Sequence, residues 1–149
     1  MADSIRSPCI GVCSTGLGDA VCRGCKRFEF EVIHWNGYSQ AQREAVLARI
    51  TALLEQVLSE RVRVQEPVKL RAAAKAIGRN LKHTSSDAGL VYEVLRAHGG
   101  ELPSLEQIGV VGLGPWRGAA PSACKAELER DFYALCCAHF DRYFVKGAV

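Results

Sequence analysis

The sequence lacks an apolar run of the ~18 residues that a membrane span requires. Its longest candidate, residues 108–116, is short and interrupted by three glycines. The N-terminal residues also lack the apolar stretch of a secretory signal. We therefore expect a cytoplasmic protein that does not associate with a membrane. In that reducing compartment the seven cysteines are expected to be thiols or metal ligands rather than disulfides. Their odd number also argues against a closed set of disulfides.

Catalytic signatures are also missing. The chain has no serine–histidine–acid pattern, no nucleophile motif and no pair of carboxylates framed by apolar sequence. The glycine-rich stretch Gly109–Gly114 lacks both the lysine-serine ending of a Walker loop and the full dinucleotide fingerprint. We interpret it as part of a structured loop over residues 101–121 with a short strand at Gly109–Leu113. The sequence therefore favours a non-enzymatic protein.

The net charge of +3 is unevenly distributed along the chain. Residues 61–83 carry seven Lys or Arg and one Glu, whereas the segments on either side are nearly neutral. This basic stretch predicts contacts with nucleic acid phosphates as one alternative, although it has no aromatic residues for base stacking. A solvated helix face is the other interpretation. The candidate nucleic-acid-binding residues are Lys69, Arg71, Lys75, Arg79 and Lys82.

Apolar periodicity predicts a mainly α-helical protein. The strongest helix starts at Ser39, with Gln42 completing a capping box, and its apolar stripe comprises Val46, Leu47, Ile50, Leu53, Leu54, Val57 and Leu58. A short helix is expected over residues 28–35 and ends at Gly37, and a brief extended piece at Val62 and Val64. Further helices are expected over residues 69–82, from Ser85 or Ser86 to Gly99, and over residues 122–144.

Four cysteines precede the first helix in the pattern C-x3-C-x8-C-x2-C. Two close pairs separated by a short loop suit tetrahedral thiolate coordination, and residues 7–38 have few large aliphatic side chains to support a fold without a metal. Gly11 and Gly24 are expected to let the backbone turn around the metal, and the basic residues at 23, 26 and 27 to offset thiolate charge. The predicted ligands are Cys9, Cys13, Cys22 and Cys25.

The segments Ser7–Cys13, Cys22–Arg27 and Glu31–Trp35, followed by Arg43–Leu47, resemble the bacterial family called domain of unknown function 1289. Its members are commonly labelled predicted iron–sulfur proteins, and the resemblance implies a four-cysteine metal-binding domain without an established reaction. Family members typically have threonine where this chain has Phe28. The resemblance covers about residues 7–50, so residues 60–149 form an extension about which it implies nothing.

Other candidate residues have simpler interpretations. Trp35 is expected to pack the first helix onto the metal loop, and His34 to lie at the surface or beside the metal ligands. Cys136, Cys137 and His139, with Cys124, suggest a second metal site. The stripe they share with Leu128, Phe132, Leu135 and Tyr143 favours an apolar core instead.

The sequence thus predicts a small metal-bound head at residues 1–60 and a helical extension at residues 61–149. We expect a structural zinc ion and a module that binds another protein or a nucleic acid. An iron–sulfur cluster that passes electrons to a partner oxidoreductase is the alternative, because such clusters are also held by four thiolates.

Overall fold

The structure is a computed structural model that describes residues 7–11, 13–77 and 86–145. Over these residues the protein is mainly helical, as the sequence predicts, and two short strands form one small sheet. The elements are α1 (Glu29–His34), α2 (Gln40–Leu58), β1 (Val62–Val64), α3 (Pro67–Ala76), α4 (Asp87–His98), β2 (Val110–Gly112) and α5 (Pro121–Phe140). A π-helical turn, Asp141–Val145, follows α5 directly. None of the helices in these ranges has the length and apolar character needed to cross a bilayer.

The helix starts form where their capping residues predict them. At α2 the Ser39 N–H donates to Oε1 of Gln42 at 2.8 Å, and the Gln42 N–H donates to Oγ of Ser39 at 3.2 Å. This reciprocal pair is the expected capping box. At α4 the capping residue is Ser86, whose Oγ accepts from the N–H of Gly89 at 3.0 Å. Both serines therefore satisfy backbone donors that the first helical turn leaves without partners.

The apolar stripe of α2 faces the interior. Its members Val46, Ile50, Leu53, Leu54 and Leu58 are buried, and Leu47 and Val57 are half-buried. The stripe was predicted from 3.6-residue periodicity alone, and burial of these aliphatic side chains stabilises the helix by about 1.5–3 kcal/mol each.

The two short strands, β1 and β2, pair in antiparallel orientation with Arg63 opposite Val111. The glycine-rich stretch thus forms a sheet edge within a loop. At Gly112 a side chain would lie 2.1 Å from the carbonyl oxygen of Trp116, and at Gly109, where φ is +76°, 2.3 Å from that of Glu66. These glycines allow backbone segments of the protein to approach one another closely.

Some predicted details differ in the structure. Tyr143 was expected in the buried stripe of the last helix, but it is 57% exposed because the α-helix ends at Phe140 and the π-turn changes the periodicity. Ile33 belongs to the apolar pattern that predicts the short helix over residues 28–35, but it is 66% exposed, and the buried residue of α1 is Glu31. The expected helix 69–82 begins earlier, at Pro67, and buries Leu70 and Ala74. Arg79, Leu81 and Lys82 lie outside the described residues.

The chain divides into two compact units. Unit 1 comprises the described residues of Met1–Leu53 and Phe132–Val149, and unit 2 those of Leu54–Asp131. The core of unit 1 contains Val21, Cys22, Cys25, Phe28, Trp35, Val46, Ile50, Leu53, Phe132 and Cys136. The core of unit 2 contains Leu54, Leu58, Leu70, Leu90, Val91, Val94, Leu95, Leu105, Ile108, Val110, Trp116 and Leu128.

Candidate metal centre

Cys22 and Cys25 lie in a tight hairpin, Val21–Phe28, which we call the knuckle hairpin. Val21 and Phe28 form an antiparallel bridge at its open end. Inside it the Cys22 N–H donates to the carbonyl of Arg27, and the Lys26 N–H donates to the carbonyl of Cys22, both at 2.8 Å. The hairpin therefore holds the two cysteine side chains at one end of a closed backbone turn.

Lys26 has the left-handed backbone conformation in this turn. Its φ is +68°, whereas Gly24, which we expected to supply the tight turn, does not have a positive φ. A non-glycine residue in this conformation costs roughly 1–2 kcal/mol. Lys26 offsets part of this cost because its buried ammonium donates to the carbonyl of Arg23 at 2.5 Å. The lysine thus closes the turn with its side chain as well as its backbone.

The sulfur of Cys22 is surrounded by hydrogen-bond donors. Burial disfavours its thiolate, but the backbone N–H groups of Cys25, Ser14 and Gly24 and the side chain of Cys25 all donate to it. Together these donors outweigh burial and lower the pKa of Cys22 to about 7. The thiolate is the form of cysteine that binds metals, so a lowered pKa makes metal binding by this sulfur easier at neutral pH.

Cys25 is in a drier environment. Burial raises the pKa of its thiol, although Arg27 opposes that shift by donating from Nε to the sulfur at 3.3 Å. The same guanidinium lies 4.8 Å from the centre of the Trp35 ring. Trp35 is buried and packs against this part of the hairpin, as predicted, and His34 is exposed.

Cys9 and Cys13, the first predicted pair, are exposed. The Gly11 N–H donates to the sulfur of Cys9 at 3.4 Å, in a turn where Gly11 has a φ of +89° as its predicted role requires. Gly24, two residues after Cys22, donates to its sulfur in the same manner. The sulfur of Cys13 shares a hydrogen bond with Oγ1 of Thr15 at 3.0 Å.

Ser14 joins the first cysteine segment to the second. Its backbone N–H donates to the sulfur of Cys22, and its Oγ accepts from the N–H of Arg23 at 2.8 Å. Because Ser14 directly follows Cys13, the backbone of the first segment lies against the knuckle hairpin. The spacing of the cysteines did not predict this role of Ser14, because it depends on contact with Arg23, nine residues later in the chain.

The structure therefore brings Cys22 and Cys25 into contact, and it leaves Cys9 and Cys13 at the surface. Among the residues that it describes, no group of three or more His, Cys, Asp or Glu side chains is arranged to hold a metal ion. The complete set of four ligands remains a prediction. The chemistry of the four cysteines is compatible with a metal site. In each pair a glycine N–H donates to the sulfur of the first cysteine, and cationic side chains lie beside the second pair.

A buried ion pair supports the hairpin from the helical side. Arg49 of α2 donates to both carboxylate oxygens of Glu31, at 2.5 and 2.7 Å, and the Phe28 N–H donates to the same carboxylate at 2.8 Å. The guanidinium also lies 3.8 Å from the centre of the Phe28 ring. Arg49 lies outside the apolar stripe of α2, and the sequence analysis did not predict this role. One sequence signal was available for Glu31. It lies three residues after Phe28, the residue before α1, and this is the spacing of a capping box.

Two of the three cysteines of α5 belong to the apolar core, and the third, Cys137, is half-buried. Cys124 and Cys136 are buried, and burial raises the pKa of Cys136 to about 12. His139 is half-buried, with its ring centre 6.5 Å from that of Phe28, and burial lowers its pKa. These surroundings confirm the interpretation of the stripe as core.

Three of the five basic candidates lie on α3. Lys69, Arg71 and Lys75 are exposed, and Lys69 forms an ion pair with Glu66 at 3.0 Å. Arg79 and Lys82 lie outside the described residues. The basic surface is therefore described only over the first half of the segment that we expected to form it.

Comparison with known proteins finds a family that the cysteine segment resembles. Residues 7–54 match the family described as "Protein of unknown function (DUF1289)". This match includes all four cysteines and most of α2, and it confirms the resemblance over that part of the chain. No curated protein and no solved structure matches the chain.

Proposed function

We propose that this chain is a metal-binding interaction module in which Cys9, Cys13, Cys22 and Cys25 hold one structural zinc ion. The observation that supports the proposal best is the knuckle hairpin. Three backbone N–H groups, from Ser14, Gly24 and Cys25, converge on one buried sulfur. Such donors stabilise a thiolate far more than a neutral thiol, so their convergence is explained by a negatively charged sulfur that binds a cation.

Nearby cations support the same proposal. Four thiolates around one Zn²⁺ carry an excess charge of −2, which is costly to bury without compensation. Arg27 donates directly to the sulfur of Cys25, and the buried ammonium of Lys26 lies in the same turn. Both residues are buried, at 4% and 1% exposure, where charged side chains are rare unless they are paired.

The exposed pair completes the proposed ligand set from a neighbouring segment. Cys13 precedes Ser14, which is already bonded to the hairpin at two points. Zinc would draw the sulfurs of Cys9 and Cys13 toward the buried pair. The ordering of residues 7–25, which have few aliphatic side chains, would then be stabilised by metal binding, which contributes on the order of 10 kcal/mol in small zinc domains.

A zinc ion with four protein ligands has no open coordination position, and its role is therefore structural rather than catalytic. We propose that the module acts by binding another protein. Unit 1 presents large apolar side chains to solvent, among them Leu17 at 90% and Ile33 at 66% exposure. These side chains are the candidates for contact with that partner.

Metal analysis of the untagged protein, purified anaerobically, tests the proposal. We expect one zinc per chain in a colourless protein. Replacement by Co²⁺ should give the intense absorption of tetrahedral cobalt–thiolate coordination. Serine substitution at Cys9, Cys13, Cys22 or Cys25 should reduce the zinc content and protease resistance of residues 7–38.

Cys124→Ser is the matched control, because Cys124 is a buried cysteine of unit 2 and does not belong to the proposed ligand set. It should retain full zinc content. If the purified protein is brown and contains iron and acid-labile sulfide, the four cysteines hold an iron–sulfur cluster instead of zinc. That result would favour electron transfer to a partner oxidoreductase. A protein that binds neither zinc nor an iron–sulfur cluster would contradict both the zinc proposal and its iron–sulfur alternative.

Nucleic-acid binding through α3 is the second candidate function, and it is favoured by the exposure of Lys69, Arg71 and Lys75. Binding through phosphate contacts should weaken steeply as salt increases. We expect Arg71→Ala/Lys75→Ala to reduce both the affinity and its salt dependence. Arg117→Ala/Arg130→Ala removes the same charge from other exposed positions and should have less effect. Equal effects of the two double variants would exclude a site on α3.

A further inference from the structure

The C-terminal residues of the described chain pack on the knuckle hairpin within unit 1. The phenol of Tyr133 donates to the carbonyl of Val21 at 3.0 Å, and the Arg23 guanidinium lies 4.5 Å from the centre of the Tyr133 ring. The Lys26 ammonium is 5.1 Å from the centre of the Phe132 ring. Side chains from the first strand and the turn of the hairpin therefore contact the C-terminal helix.

Aromatic rings cover the second strand of the hairpin. The ring centre of Phe28 is 4.9 Å from those of both Phe140 and Phe144, in edge-to-face geometry, and Phe144 also contacts Phe30 at 5.6 Å. Phe28 is completely buried. Phe28 is therefore the apolar anchor on which the C-terminal segment of this chain packs.

These contacting residues lie outside the segment that matches the family, which ends at residue 54. The chain leaves unit 1 after Leu53 and returns to it at Phe132. The returning segment contacts three consecutive parts of the hairpin that contains Cys22 and Cys25. We call residues Phe132–Phe144 the C-terminal clamp.

We propose that the C-terminal clamp responds to metal. Coordination by Cys22 and Cys25 fixes the hairpin on which the clamp packs, and loss of the metal releases the clamp and exposes its aromatic residues to solvent. This inference rests on the proposed metal site. By thermodynamic linkage, packing of the clamp must raise metal affinity by the same factor by which metal favours packing.

Hydrogen exchange of the full-length protein, with bound zinc and after treatment with a strong chelator, tests the first half of the linkage. We expect exchange to rise by about tenfold or more both in residues 20–35 and in the clamp when zinc is removed. Helix α4, which lies in unit 2, should remain protected. Unchanged protection of the clamp in a protein that has lost its zinc would overturn the inference.

Tyr133→Phe tests the reciprocal half, because it removes the hydrogen bond to Val21 and retains the ring against Arg23. One neutral hydrogen bond corresponds to about a threefold to tenfold change, so zinc should bind more weakly by up to that factor. Phe140→Ala removes an edge-to-face contact with Phe28 and should also weaken zinc binding. Tyr92→Phe is the matched control, since it removes the phenol bond to Glu129 at 2.7 Å in unit 2 and should leave zinc affinity unchanged.

The two proposals fail in different ways. If the wild-type protein binds no metal, the proposed function and this inference are both wrong. If zinc binds and Cys22→Ser abolishes its binding, but Tyr133→Phe and Phe140→Ala bind zinc as tightly as Tyr92→Phe, only the clamp is wrong.

Discussion

Arg27 donates a hydrogen bond from Nε to the sulfur of Cys25 at 3.3 Å. Its guanidinium also lies over the ring of Trp35, which contacts the guanidinium of Arg43 from 5.6 Å as well. One side chain, Arg27, therefore contacts both the Cys25 sulfur and the indole. The proposed metal site and the start of the helical region share this arginine.

Trp35 should report on the state of the cysteine pair. Burial raises the pKa of Cys25, so zinc removal leaves this side chain as a neutral thiol. The loss of the thiolate charge should alter how Arg27 lies on the indole. We expect zinc removal to change the intensity and emission maximum of Trp35 fluorescence, measured in the Trp116→Phe variant. The converse variant, Trp35→Phe, retains only Trp116 in unit 2 and should show little change. A response carried by Trp116 instead would contradict the link through Arg27.

The Glu31–Arg49 ion pair should contribute strongly to stability. The Glu31 side chain is 5% exposed and that of Arg49 is 16% exposed. Removing the Glu31 carboxylate leaves the Arg49 guanidinium without its partner and the Phe28 N–H without its acceptor. We expect Glu31→Ala to lower the free energy of unfolding by about 3 kcal/mol or more. Denaturant titration measures this change.

Glu66→Ala provides the control for that ion pair, because Glu66 and Lys69 are paired at 3.0 Å with both side chains more than half exposed. Solvent screening should limit its effect to about 0.5 kcal/mol or less. Similar losses in the two variants would show that the burial of Glu31 has no energetic consequence.

Gly112 in β2 should not tolerate a side chain. A Cβ there would approach backbone atoms of Trp116 to within 2.1 Å, which requires the strand or the following turn to move. We expect Gly112→Ala to lower the free energy of unfolding by about 2–3 kcal/mol, as overpacking does in other interiors. Gly100→Ala is the comparison, since nothing lies within 4 Å of its Cβ position, and thermal unfolding of both variants should separate them clearly.

Cys136 should make the protein less stable at alkaline pH. Burial raises its pKa to about 12, whereas a thiol in the unfolded chain ionises near 8.5. Above that pH the unfolded state loses a proton that the folded state retains, so the stability contributed by this group falls as pH rises. Unfolding titrations at pH 7 and pH 10 should show a larger loss for the wild type than for Cys136→Ala. The control Cys137→Ala should behave as the wild type does.

Local patterns predicted much of the helical structure because their causes lie within a few residues. Ser39 and Gln42 form the capping box that their three-residue spacing predicts, and the aliphatic stripe of α2 is buried as its periodicity indicates. Tyr143 was assigned incorrectly because the same periodicity was extended through a π-turn. Arg49 falls outside the apolar stripe of α2, and its role was not predicted because its partner Glu31 lies 18 residues earlier.

The sequence by itself determined the mainly helical class, the starts of α2 and α4, and the spacing of the cysteine pairs, since capping, periodicity and spacing act over a few residues. Only the tertiary structure decided that Ser14 approaches Cys22, that Arg49 covers Phe28, and that the chain returns at Phe132 to pack on the hairpin. Those contacts depend on the closure of long loops and on burial shared by distant segments, which no local pattern encodes.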